Sequence, residues 1–167
     1  MSLPSSRNTT YVAADPVLSA DLNAIQDCIV GSKRGDFTLI VHPSMGWADP
    51  ANWAMSASGY MLSAAAGALY IPIPLITGDR IKEVTFALYG DGAADLTSSY
   101  IKKLTSAGVL TDISPSFAQT NPAAAWADVV CGVTDTTLAA GDSIFAYLTC
   151  NAAALRVGAL RCLADHP

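Results

Sequence analysis

The sequence predicts an all-β fold: an antiparallel β-sandwich of jelly-roll type with a short helical arm at its N-terminus. Three observations point there. Apolar residues at helical spacing are confined to the first 35 positions, alternating spacing runs from there to the end, and turn residues recur at short intervals with no helical pattern between them. The division this implies is an arm over 1–35 with one helix, followed by a sandwich domain over 36–167.

The arm rests on residues 19–31. Ser19 is placed to cap the first amides, Asp21 suits the positive end of a helix, and Gly31 suits a left-handed stop. Leu18, Leu22, Ile25 and Ile29 fall on one narrow apolar stripe, the expected arm interface. So short a helix is marginal alone, so it either docks on its own domain or associates with the same helix of other subunits.

Beyond Gly35 the elements follow in order. Residues 37–41 are β-rich. Residues 68–75 alternate but carry Pro72 and Pro74, which lack amide donors and therefore belong to an edge or irregular strand. After a turn at Gly78-Asp79, residues 81–89 place Val84, Phe86 and Leu88 on one face and Glu83, Thr85 and Ala87 on the other. Asp91-Gly92 turns the chain into a strand over 96–104 carrying Lys102 and Lys103, and Ser106 to Gly108 turns it towards 109–113. Residues 114–125 read as loop, 126–133 as extended. Residues 144–150 set Ile144, Ala146 and Leu148 against Phe145 and Tyr147, which predicts a strand covered on both faces. The last strand, 155–163, is expected to show Leu155, Val157 and Ala159 on one side and Arg156, Gly158 and Leu160 on the other.

Composition narrows the function. Hydrophobic residues make up 51% of the 167 and charged residues 14%, enough apolar surface for a core and too little charge for a disordered chain. Such a low charge predicts surface hidden against copies of the chain or a partner. The net charge of −5, with no dense Lys or Arg run, argues against nucleic acid as a partner. Residues 1–11 lack the apolar core of a secretory signal, and the longest apolar stretch, 64–76, is broken by Gly67, Pro72 and Pro74, so no membrane span is expected. Cys28, Cys131, Cys150 and Cys162 are widely spaced in apolar surroundings and read as buried thiols. A turn at 151–154 makes Cys150 and Cys162 the pair nearest to a bridge.

Two stretches resemble parts of tailed-bacteriophage virions. Thr9-Thr-Tyr-Val followed by Ser19-Ala-Asp-Leu-Asn-Ala-Ile-Gln-Asp resembles the N-terminal attachment segment of phage appendage proteins. Residues 73–90, 137–148 and 155–161 look like the β-sandwich domains of phage structural proteins and related surface modules. The resemblance implies a virion structural protein, namely a short tail or head appendage, a fibre or a decoration protein. It would be anchored by its arm to other virion proteins, form a homo-oligomer with a trimer favoured, expose its sandwich to host-surface glycans, and assemble in the host cytoplasm. The alternative is a carbohydrate-binding β-sandwich module of a cellular or secreted protein.

No catalytic, metal or cofactor site can be assembled from the residues. His42 precedes Pro43 and His166 stands at the C-terminus, so neither is placed with a nucleophile. Asp91, Asp95, Asp112 and Asp135 lie in or near turns, where Asp is favoured for its bonds to nearby amides, and the spacing of an EF-hand is absent. The expectation is a protein that is not an enzyme, with a glycan depolymerase the one catalytic reading left open. The candidate glycan contacts are Trp47, Trp53 and Trp126, with Tyr60, Tyr70 and Tyr89 beside them, since a flat ring stacks on a sugar; packing in the core or at a subunit interface is nonetheless the favoured role for the same residues.

Overall fold

The computed structural model describes residues 36–90, 95–120 and 124–166. The expected arm, with Leu18, Leu22, Ile25 and Ile29, lies outside them, as does the turn expected at Asp91-Gly92. The unit described is Asp36–Asp165.

Its strands are β1 (Phe37–Val41), β2 (Trp47–Ala48), β3 (Trp53–Met55), β4 (Met61–Ser63), β5 (Gly67–Ile73), β6 (Arg80–Tyr89), β7 (Leu96–Leu104), β8 (Leu110–Asp112), β9 (Phe117–Gln119), β10 (Ala127–Thr137), β11 (Ser143–Cys150) and β12 (Arg156–Asp165). They form two antiparallel sheets. Sheet A runs β10-β6-β12-β4-β3, with β1 also paired to β12. Sheet B runs β2-β5-β11-β7-β8, with β9 also paired to β7.

The alternation that predicts the long strands also sets their inward faces. Val84, Phe86 and Leu88 of β6 meet Leu69, Ile71 and Ile73 of β5 and Ile144, Ala146 and Leu148 of β11 in one apolar cluster, each at most 3% exposed. Phe86 of sheet A stacks on Phe117 of sheet B, with centroids 5.3 Å apart and planes 17° from parallel. The two sheets therefore bury one another's inner faces, as in an antiparallel sandwich. Pro72 sits where expected for a residue without an amide donor: β2 pairs with β5 only at Tyr70 and Leu69, so β5 is an open edge from Ile71 onward.

Three readings need correction. β9 lies inside a stretch expected to be loop, and β2, β3 and β4 were not foreseen, because two or three residues contain too few alternations to reveal a strand. β12 does not alternate without interruption. Its register against β6 shifts between Val157 and Leu160, so Gly158 and Leu160 are both buried and Leu160, Cys162 and Ala164 continue the core in place of Ala159. Finally, the outward face of β11 is only half-buried at Phe145 and Tyr147.

Cys131, Cys150 and Cys162 are buried free thiols. Cys150 and Cys162 belong to different sheets, and the Cys150 thiol donates to the carbonyls of Ala65 and Gly67 at 3.3 and 3.5 Å. Burial raises the pKa of all three, that of Cys162 to about 12, so they behave as inert small hydrophobes. Where β6 meets the end of β12, Asp165 accepts from Arg80 and pairs with Lys82 at 2.9 Å, and Lys82 also holds Asp36.

Candidate functional site

On β5, Leu69 and Ile71 are fully buried, so Tyr70 between them points out of the sandwich; Tyr147 does the same between Ala146 and Leu148, and Tyr100 between Ser99 and Ile101. The strand register then lines these residues up. Trp47 of β2 lies opposite Tyr70, Tyr70 opposite Tyr147, and Tyr147 opposite Tyr100, giving one aromatic rung across four strands of sheet B. Ring centroids are 4.9 Å apart for Trp47 and Tyr70 and 5.1 Å for Tyr70 and Tyr147, tilted by 44° and 54°. Phe145 extends the group at 5.9 Å from Tyr70.

Trp47 is the outermost member, 69% exposed. Its position depends on Gly46, where a Cβ would stand 2.8 Å from the Pro43 carbonyl and 3.0 Å from the Tyr70 carbonyl. Only glycine lets the backbone pass so close to β5. A shallow depression of about 290 Å³ opens here, lined by Met45, Trp47, Tyr70, Pro72 and Phe145. At the other end of the rung, the Lys102 ammonium lies 4.8 Å from the Tyr100 centroid and 5.3 Å from that of Tyr147, and forms an ion pair with Asp112. The arrangement is an apolar, open, partly solvated surface with one polar pair at its margin.

A second aromatic group sits on the outer face of sheet A. Trp126, 49% exposed, lies 5.7 Å from both Tyr60 and Tyr89, and the Arg156 guanidinium carbon lies 4.2 Å from the Tyr89 ring centre and 5.4 Å from that of Tyr60. A third feature, a groove of about 300 Å³ on the same face, is lined by Thr38, Glu83, Thr85, Arg161 and Leu163. It contains one carboxylate and no acid pair of the kind hydrolysis of a glycosidic bond requires.

The three tryptophans expected as glycan contacts thus lie in three places. Trp47 heads the rung, and Trp126 belongs to the second group with Tyr60 and Tyr89. Trp53 is 2% exposed in the core and presents no face to a ligand, which removes it from the set. Tyr100, Phe145 and Tyr147 were missed. The alternation of β11 does place Phe145 and Tyr147 together on one face, but it carries no signal that this face is open rather than covered. His42 is exposed and bonded to Ser44, and among the described residues no three His, Cys, Asp or Glu side chains gather as metal ligands.

No protein-family model and no curated protein matches the chain. Among solved structures the fold is similar to the CBM22-1 xylan-binding domain of Xyn10C from Paenibacillus barcinonensis, at a TM-score of 0.55 and 9% identity over 81% of this chain and 99% of that one. Matches with lower TM-scores include the C-terminal CBM6 of LamC from Zobellia galactanivorans (0.46, 10% identity, 75% and 98% covered) and a family 35 carbohydrate binding module from Clostridium thermocellum (0.42, 16% identity, 75% and 97% covered). The β-sandwich is shared; at these identities the likeness is one of fold. The expectation of a phage virion structural protein is corrected here: the fold is shared with a domain described as xylan-binding, which agrees with the alternative given for the same sequence rather than with a virion part.

Proposed function

We propose that this chain is a non-catalytic carbohydrate-binding β-sandwich and that a glycan lies along the rung of Trp47, Tyr70, Tyr147 and Tyr100. The observation that carries the reading is the register itself, which sets four aromatic side chains side by side on an outer sheet face and leaves the end member 69% exposed. A pyranose has flat C–H faces and a rim of hydroxyls. Its faces pack on aromatic rings, and a few polar groups at the margin fix its orientation, here Lys102 and Asp112. Strands stand about 4.8 Å apart, so the rung runs roughly 14 Å across four of them, and a linear chain would cross the strands. The fold neighbour described as a xylan-binding domain supports the same class of ligand.

Calorimetric titration of the full chain with xylohexaose and with mannohexaose tests this. Saturable binding of at least one is expected, with a change in tryptophan fluorescence. Trp47→Ala should weaken it by more than tenfold while leaving thermal unfolding nearly unchanged, because so exposed a side chain contributes little to the core. Undiminished binding by that variant would remove the rung from consideration.

A further inference from the structure

Six basic side chains fall among the described residues, and five have carboxylate partners: Arg80 and Lys82 with Asp165, Lys102 with Asp112, Lys103 with Asp142, and Arg161 with Asp128. Arg156 is the exception among those ion pairs, in a chain whose net charge is −5. What surrounds it is aromatic. Its guanidinium lies over the Tyr89 ring and near that of Tyr60, and its Nε is enclosed without a hydrogen-bond partner. The residue as a whole keeps part of its surface in solvent.

From this we infer a second binding site, separate from the rung, which takes a carboxylate-bearing saccharide such as a hexuronate. A guanidinium held over a ring is attracted by the ring's face and keeps its N–H donors in its own plane. With Nε enclosed, the two terminal nitrogens remain, and they form a fork that matches a carboxylate in a way a lysine cannot. Trp126, half-exposed, packs against the same two tyrosine rings as the guanidinium and lies over Gly158, where a Cβ would stand 3.0 Å from the indole. A hexuronate combines the two features the site presents for, a carboxylate for the fork and a flat C–H face for the indole. An acidic peptide side chain has the first without the second.

The proposal does not rest on the rung, because Arg156 points outward from sheet A, between buried Leu155 and Val157, whereas the rung belongs to sheet B. The full chain is titrated with oligomers of galacturonate and of glucuronate, each against the neutral oligomer of the same hexose and length. At least one uronate oligomer should bind tenfold or more tighter than its neutral counterpart, less so as salt rises. Arg156→Gln should erase the preference, Arg156→Lys should retain only part of it, and Trp126→Phe should abolish the fluorescence change on uronate binding while Trp47→Ala preserves it. Where Arg156→Gln fails to fold, Trp126→Ala supplies the same comparison, with uronate affinity expected to fall. Equal affinity for uronate and neutral oligomers, a preference that survives Arg156→Gln in folded protein, or equal competition by pentaglutamate would each overturn the assignment.

Discussion

Phe86 has no exposed surface and stacks on Phe117 of the opposite sheet, so it is one of the side chains through which each sheet holds the other. Phe86→Ala removes that ring pair and leaves a cavity between the layers; a loss of about 3–5 kcal/mol is expected, read as a lower denaturation midpoint at unchanged m-value. Its inward direction was legible in the sequence, since Val84, Phe86 and Leu88 alternate with Glu83, Thr85 and Ala87 over a long strand. The tryptophans were not legible in this way. Trp53 begins a three-residue strand and Trp47 a two-residue one, and neither run is long enough for alternation to say which face is covered. Burial there is decided by which strand passes over the residue, a matter of topology rather than of local pattern.

At the scale of elements, β12 shows what a regular pattern conceals. The bulge between Val157 and Leu160 moves the inward phase by one residue and places Gly158 beneath Trp126, with Ala87 beside it. Gly158→Ala forces the indole or the strand to move; overpacking of this kind costs about 1–3 kcal/mol, and the emission of Trp126 should shift with it. The end of the same strand carries a charge network with a pH signature. Hydrogen bonds from Arg80, then Lys82, hold the Asp165 carboxyl well below the usual carboxylate range. The unfolded chain, in which an aspartate titrates at about 3.9, therefore takes up the proton first as acid is added. The stabilisation is complete above that value and is lost as pH falls through the lower folded one. Thermal unfolding of Asp165→Asn followed between pH 6 and pH 2 should show a shallower acid decline than the parent; an identical decline would mean that other carboxylates govern it.

For the whole molecule, the sequence disclosed the layer architecture but not the joining of its faces. Periodicity identifies which residues of a strand share a side, and so Tyr147 could be set opposite Leu148 in advance. It does not say that β2, β5, β11 and β7 are neighbours, and the rung exists only because that order brings Trp47, Tyr70, Tyr147 and Tyr100 into register. The same order assigns the rung to one sheet and Arg156 with Trp126 to the outer face of the other, with the packed core between. Rigid close-packed interiors of this kind give near-additive behaviour for sites that share no partner. Binding at the two faces should therefore be independent. Trp47→Ala should leave the affinity for a uronate oligomer within about twofold of the parent, Arg156→Gln should do the same for a neutral xylo-oligosaccharide, and the double variant should show the product of the single effects, since energies at distant sites add to within about 0.5 kcal/mol. A single substitution that removes both affinities in a chain of unchanged melting temperature would mean that the two ligands share one surface, and the separation of the faces would then have to be abandoned.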